Sequence, residues 1–116
     1  MLFRSLVTRF LQDDNHVIRA SLANRIDDRI DPSGDLIRQL AQDEHEQVRT
    51  TVACREDLSD DLIMQLAQDE DSSVRKIIAR IHGETLLELD YMLVRQLGQD
   101  EDRSVRYEIK IGRAHV

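Results

Sequence analysis

Between Asp35 and Val52, apolar residues fall at Leu36, Ile37, Leu40 and Ala41 and then, after a polar gap, at Val48 and Val52. The first set recurs as i, i+1, i+4, i+5, which is one stripe along a helix; the second begins another stripe at i, i+4. Gln42-Asp43-Glu44 separates them. Asp is a favoured N-cap, and Asp43 with Glu46 three residues on has the form of a capping box. The next acid sits at the positive end of the following helix dipole. The pattern predicts a helix A, a tight turn and a helix B.

The same pattern occurs four times without an internal gap, over residues 5–22, 35–52, 61–78 and 92–109. Leu6, Leu36, Leu62 and Leu93 hold the second position. Asp13, Asp43, Asp69 and Asp100 each follow a Gln and precede an acid, and Arg19, Arg49, Arg75 and Arg106 stand six residues later. Ile18, Val48, Val74 and Val105 precede those arginines. The Asp markers are separated by 30, 26 and 31 residues, and all the variation lies between blocks. Loops tolerate length change better than packed elements, so the blocks are structural units and the joins are connectors. Asp31-Pro32-Ser33 and Asp57-Leu58-Ser59 supply start signals for the next helix A. A single helix pair has too little apolar area to fold alone, and stacking neighbours would bury a shared core.

Composition narrows the class. The chain is 41% hydrophobic but only 3% aromatic, with one Pro and four Gly, so its core must be aliphatic and its punctuation is too sparse for a turn-rich β fold. The expectation is all-α. Twenty-three acidic against 16 basic residues leave a net charge of −7, which disfavours a phosphate backbone or an anionic membrane surface as partner. No apolar run approaches the roughly 20 residues that span a bilayer. Arg4 and Arg9 interrupt the amphipathic opening, so it does not read as a signal segment. With Cys54 the only cysteine, an internal disulfide and a cysteine metal cluster are both ruled out, and a cytoplasmic setting fits best. Ile111–Val116 (IGRAHV) reads as the translation of a common sequencing adapter. On that reading residues 1–110 are a piece of a longer array and 111–116 a non-native tail. Gly98 stands where other blocks have Ala or Leu, costing about 1 kcal/mol in a helix interior.

The pattern L-x-x-L-A-x-D-x-x-x-x-V-R-x-x-[VIL] is matched over Leu62–Ile78, apart from one extra residue between Leu62 and Leu66. In this the chain resembles HEAT-like repeats, particularly the short bacterial kinds and the leucine-rich variant, from Ser5 to Ile109. The variant's N-terminal cysteine cluster and Asn-Pro connectors have no counterpart here. The resemblance implies a curved α-solenoid with B helices on the concave face and a scaffold or docking function. It further implies that Asp13/Arg19, Asp43/Arg49, Asp69/Arg75 and Asp100/Arg106 form a structural ladder of hydrogen bonds from unit to unit. Its enzyme members supply the alternative, a repeat arm of a lyase-type or DNA-glycosylase-type protein that forms a substrate groove.

No catalytic, cofactor-binding or metal-ligating residue is assigned. The acidic turns read as caps before they read as a ridge steering a basic partner. His16, His45 and His82 occupy different block positions with no metal spacing and are expected at the surface. Cys54 is expected as a half-buried small hydrophobe. Glu108, the one ionisable residue at its block position, is the enzyme reading's candidate acid. B-helix positions that vary between blocks are free to be tuned to a ligand, which makes Thr50, Cys54, Lys76, Arg80 and Tyr107, with Ala20 and Asn24, the candidate partner surface. The expected partner is another protein, and an unfinished fourth block would expose apolar surface and favour self-association.

Overall fold

An Asp side chain is short and holds its two acceptor oxygens close to the backbone, and the four Gln-Asp-acid turns use one of them in the same way. Asp13, Asp43, Asp69 and Asp100 each receive, through Oδ1, the backbone N–H of the residue two places on, at 2.8–2.9 Å. That second residue then caps the next helix. Asn15, Asp71 and Asp102 through Oδ1, and His45 through Nδ1, accept the N–H of Val17, Ser73, Ser104 and Gln47 at 2.8–3.1 Å. The Asp backbone N–H meanwhile closes the preceding helix on Phe10, Leu40, Leu66 or Leu97. Asp43 is therefore not the N-cap of its helix. The capping box expected with Glu46 gives way to two successive side-chain turns, because the chain needs two further residues to reverse direction.

A computed structural model describes residues 2–114. Among the described residues it is all-α, with eight helices and no strand. They are α1 (Leu2–Leu11), α2 (His16–Arg25), α3 (Asp35–Leu40), α4 (Glu46–Ala53), α5 (Asp60–Leu66), α6 (Ser72–Leu89), α7 (Tyr91–Gly98) and α8 (Arg103–Ala114). Each sequence block thus holds one A helix and one B helix. Helix α8 continues through the described part of the adapter-like segment, and His115 and Val116 lie outside the described residues.

The starts of α3 and α5 follow their sequence signals by different chemistry. Ser59 caps α5 by accepting from Leu62 N–H. At α3 the buried Asp31 carboxylate accepts the N–H groups of Leu36 and Ile37, while Gly34 takes the left-handed conformation (φ 76°) that lets the chain enter the helix. The join before the fourth block is not a loop. Helix α6, 18 residues long, continues from the third block through most of the join, and Asp90 then serves as both the end of α6 and the N-cap of α7.

The chain divides into two compact units, residues 1–55 and 56–116. In the first, α2 lies against α4, with α1 on α2 and α3 on both B helices; in the second, α6 lies against α8, with α5 on α6 and α7 on both. B helix against B helix is thus the main packing in each unit. Leu40, Val48 and Val52 are fully buried in the first; Leu66, Val74, Ile78, Leu97 and Val105 are fully buried in the second. Each such side chain contributes about 1.5–3 kcal/mol by leaving water. Gly98 is the last residue of α7 rather than interior, and a Cβ there would make ordinary contact with Ile109 at 3.7 Å.

Gly83, by contrast, sits inside α6, and an added Cβ would meet nothing within 4 Å. Replacing it with Ala removes backbone freedom from the unfolded chain at no steric cost. Gly83→Ala is expected to stabilise the protein by about 0.5–1 kcal/mol, read as a higher denaturant midpoint at unchanged slope.

Candidate functional site

Two arginines on B helices, one in each unit, carry long-range ion pairs. From α2, Arg19 donates Nη1 to the backbone carbonyl of Asp13 at 2.6 Å, the turn residue of its own block. Its other edge forks onto the Asp43 carboxylate of the following block, Nε at 2.8 Å and Nη2 at 3.0 Å. Arg75 on α6 repeats the arrangement in the second unit. Nη1 reaches Asp69 O at 2.8 Å, and Nε and Nη2 reach Asp100 at 2.7 and 2.9 Å. The side chains are about nine-tenths buried, Arg19 and Asp43 being 9% and 10% exposed, Arg75 and Asp100 10% and 8%. A planar guanidinium is suited to this bidentate geometry in a way that a lysine ammonium is not.

The Arg and Asp six residues apart are therefore joined through the backbone, and the carboxylate partner comes from 24 or 25 residues further on. Arg49 and Arg106 make the same backbone contact, with Asp43 O at 2.7 Å and Asp100 O at 2.6 Å. Glu44 and Glu101 approach Arg19 and Arg75 only at 3.9 Å and are 91% exposed, so they add little.

The electrostatics follow the geometry. Burial acts to raise the Asp43 carboxyl, but the Arg19 fork and the His45 amide outweigh it and hold the group below the ordinary carboxylate range. Asp100 behaves alike: burial raises it, and Arg75 with the Asp102 amide brings it down. Asp102 lies low because it accepts the Ser104 amide and the Ser72 hydroxyl. Both oxygens of Asp43 and of Asp100 are occupied, with the amide and Nη2 on Oδ1 and Nε on Oδ2. A carboxylate so engaged is a poor general acid or base; its chemistry here is to hold two helix pairs together.

The variable B-helix positions spread over a range of exposure. Arg80 and Tyr107 are exposed, and Thr50 and Lys76 are half-buried. Thr50 turns its hydroxyl back to Glu46 O, one turn earlier. Ala20 is buried and so is removed from a partner surface, whereas Asn24 is exposed. Cys54 is exposed rather than half-buried, because α4 ends at Ala53 and leaves it at the cap. Glu108 is half-buried on α8.

Two histidine expectations also change. His82 is buried inside the long α6. His16 and His45, at unlike block positions, stack face to face with ring centroids 3.6 Å apart and an interplanar angle of 4°. No group of three His, Cys, Asp or Glu side chains among the described residues lies close enough to share a metal ion.

Sequence reasoning missed the second-turn caps, although Asn15, His45, Asp71 and Asp102 all occupy one block position and all can accept an amide. It also missed Arg55, which donates to Ala23 O at 2.7 Å from the end of the next block. Nothing local marks that contact.

Because the folded carboxyl groups lie below their unfolded values, the stability they contribute is present above about pH 4 and is lost as pH falls through the folded value. Asp43→Asn and Asp100→Asn retain the amide acceptor but remove the charge. Each is expected to cost about 2–3 kcal/mol at neutral pH and to flatten the acid limb of the stability curve, as measured by urea unfolding across pH.

Comparison with family models, with curated proteins and with solved structures finds no match to this chain.

Proposed function

We propose that the chain is a HEAT-like helical repeat protein, an α-solenoid of four helix pairs that serves as a protein-binding scaffold or regulatory docking module. The observation that carries this reading is the recurrence, in both units, of one three-bond arginine joint between successive helix pairs. Repeat arrays are stabilised by such nearest-neighbour interfaces, and they leave the side chains outside the interface free for recognition. The Asp–Arg ladder is accordingly structural. The net charge of −7 favours a protein partner over nucleic acid. No helix of the described residues is long and apolar enough to cross a membrane, in keeping with a partner away from the bilayer. An exposed free thiol at Cys54 suits a reducing compartment such as the cytoplasm. The alternative of an enzyme's repeat arm would need an acid or nucleophile released from structural duty, and Asp43 and Asp100 are engaged by arginines.

The partner surface in this reading lies on each unit by itself, at Thr50 and Cys54 in the first and at Lys76, Arg80 and Tyr107 in the second. Lys76 and Arg80 stand one turn apart on α6 and offer a basic site on an acidic protein, suited to an acidic partner segment. A partner identified by cross-linking and then purified provides the test. Lys76→Glu with Arg80→Glu is expected to weaken its binding by about tenfold or more, whereas Asp60→Lys, exposed on α5, leaves it unchanged. Equal affinity for all three proteins in a titration removes this surface from the account.

A further inference from the structure

In each unit one further contact between helix pairs lies beside the arginine joint. In the first, His16 at the start of α2 lies flat against His45, the N-cap of α4, with ring centroids 3.6 Å apart and an interplanar angle of 4°. His45 also gives its amide to Asp43, the carboxylate that Arg19 holds. The second unit fills the same two block positions otherwise. Ser72 starts α6 as His16 starts α2, and its hydroxyl donates to Asp102, which accepts the Ser104 amide at the start of α8. One unit thus closes this contact with a hydroxyl and a carboxylate. The other closes it with two side chains of the type that changes charge between about pH 5 and 8.

The geometry fixes which form of the pair is needed. His45 Nδ1 accepts the Gln47 amide at 3.1 Å, so the ring proton sits on Nε2 and the ring is neutral. A proton added at Nδ1 removes that acceptor, because a charged imidazole has only donors. A rival partner is at hand: Glu46 Oε2 lies 3.4 Å from the same nitrogen. One nitrogen cannot accept from Gln47 and donate to Glu46 at once. A second proton, on His16, sets two like charges face to face at the spacing of the stack. The other charged groups of the surrounding elements are exposed or already engaged. Asp43 faces His45 from its turn but is forked by Arg19 of α2, and Arg49 of α4 is anchored on Asp43 O. Asp14 and Glu44 are exposed in their turns. Helix α1 brings no acid and ends on the exposed Arg9, while on α3 Asp35 pairs with Arg38.

We propose that the stack of His16 on His45 is a pH-operated latch between the two helix pairs of the first unit, closed while both rings are neutral and released as they take up protons. The unfolded chain binds both protons at acid pH, whereas the stacked and capped form can take neither at Nδ1 of His45 nor on both rings without losing a contact. The latch therefore stabilises the unit above about pH 7 and loses its hold as pH falls toward about 5. That window lies above the acid loss at Asp43, which comes below about pH 4. The arginine joint accordingly holds while the latch opens, and α4 loses its cap without the unit coming apart. The Ser72–Asp102 contact of the second unit has no histidine and stays closed over the same range.

The test is an NMR titration of the whole isotope-labelled chain from about pH 8 to about pH 5. Wild type is expected to lose the Overhauser contact between the His16 and His45 rings and the hydrogen-bonded shift of the Gln47 amide together. The Ser73 and Ser104 amides, capped by Asp71 and Asp102, keep theirs. Hydrogen exchange in α4, corrected for the intrinsic rate, should rise about tenfold over the same range. His45→Asn keeps a capping oxygen like that of Asn15 and should show no such rise. His16→Ser with His45→Asp installs the pair of the second unit and should be equally insensitive. Wild type that keeps the ring contact and the Gln47 shift at about pH 5 overturns the proposal, whatever the variants do. So does α4 exchange that rises in folded His45→Asn as much as in wild type, because the acid response then belongs to other groups.

Discussion

A buried guanidinium with every donor edge assigned is the constraint around which each unit is arranged. Taking Arg19 or Arg75 out of water carries a large desolvation penalty, and only a complete set of partners offsets it. One edge finds the carbonyl of its own turn and the other finds a carboxylate of the next helix pair. The joint is therefore selective more than it is strong. A pair packed in the wrong register would strand a charge in a dry interface, so the arginine fixes register where an aliphatic core of Leu, Val and Ile would tolerate sliding.

The turn makes that joint possible. Its Asp is required twice, as the acceptor that folds the chain back through the next-but-one amide and as the acceptor of the arriving guanidinium. At Asp43 and Asp100 one carboxylate serves both roles, while the acid beside it stays solvated. This explains why the cap lies two residues later, on Asn15, His45, Asp71 or Asp102: the first Asp is already engaged.

Much of the helical layout was legible in the sequence. The stripes of Leu36, Ile37, Leu40 and then Val48, Val52 mark a helix pair because burial demands one face, and those residues are buried. What stayed hidden depends on distance along the chain. Arg19 and Asp13 stand in obvious register six residues apart, yet the charge partner of Arg19 is Asp43, and periodicity holds no information about which carboxylate a long side chain will choose. The stack of His16 on His45 and the bond from Arg55 to Ala23 are hidden for the same reason. The extension of α6 was missed on different grounds: length variation between blocks marks the joins as connectors, but a join can itself be helical, and Gly83 within it costs only about 1 kcal/mol.

The central claim is that the arginine and the carboxylate of the next helix pair act as one joint. A double-mutant cycle at Arg75 and Asp100 tests it most directly, using Arg75→Met, Asp100→Asn and the double variant in equilibrium unfolding. The account predicts that either single change is strongly destabilising, and that the double variant is less unstable than the sum of the two by about 1.5–3 kcal/mol. Strict additivity would contradict it, because two residues that contribute independently are not a joint.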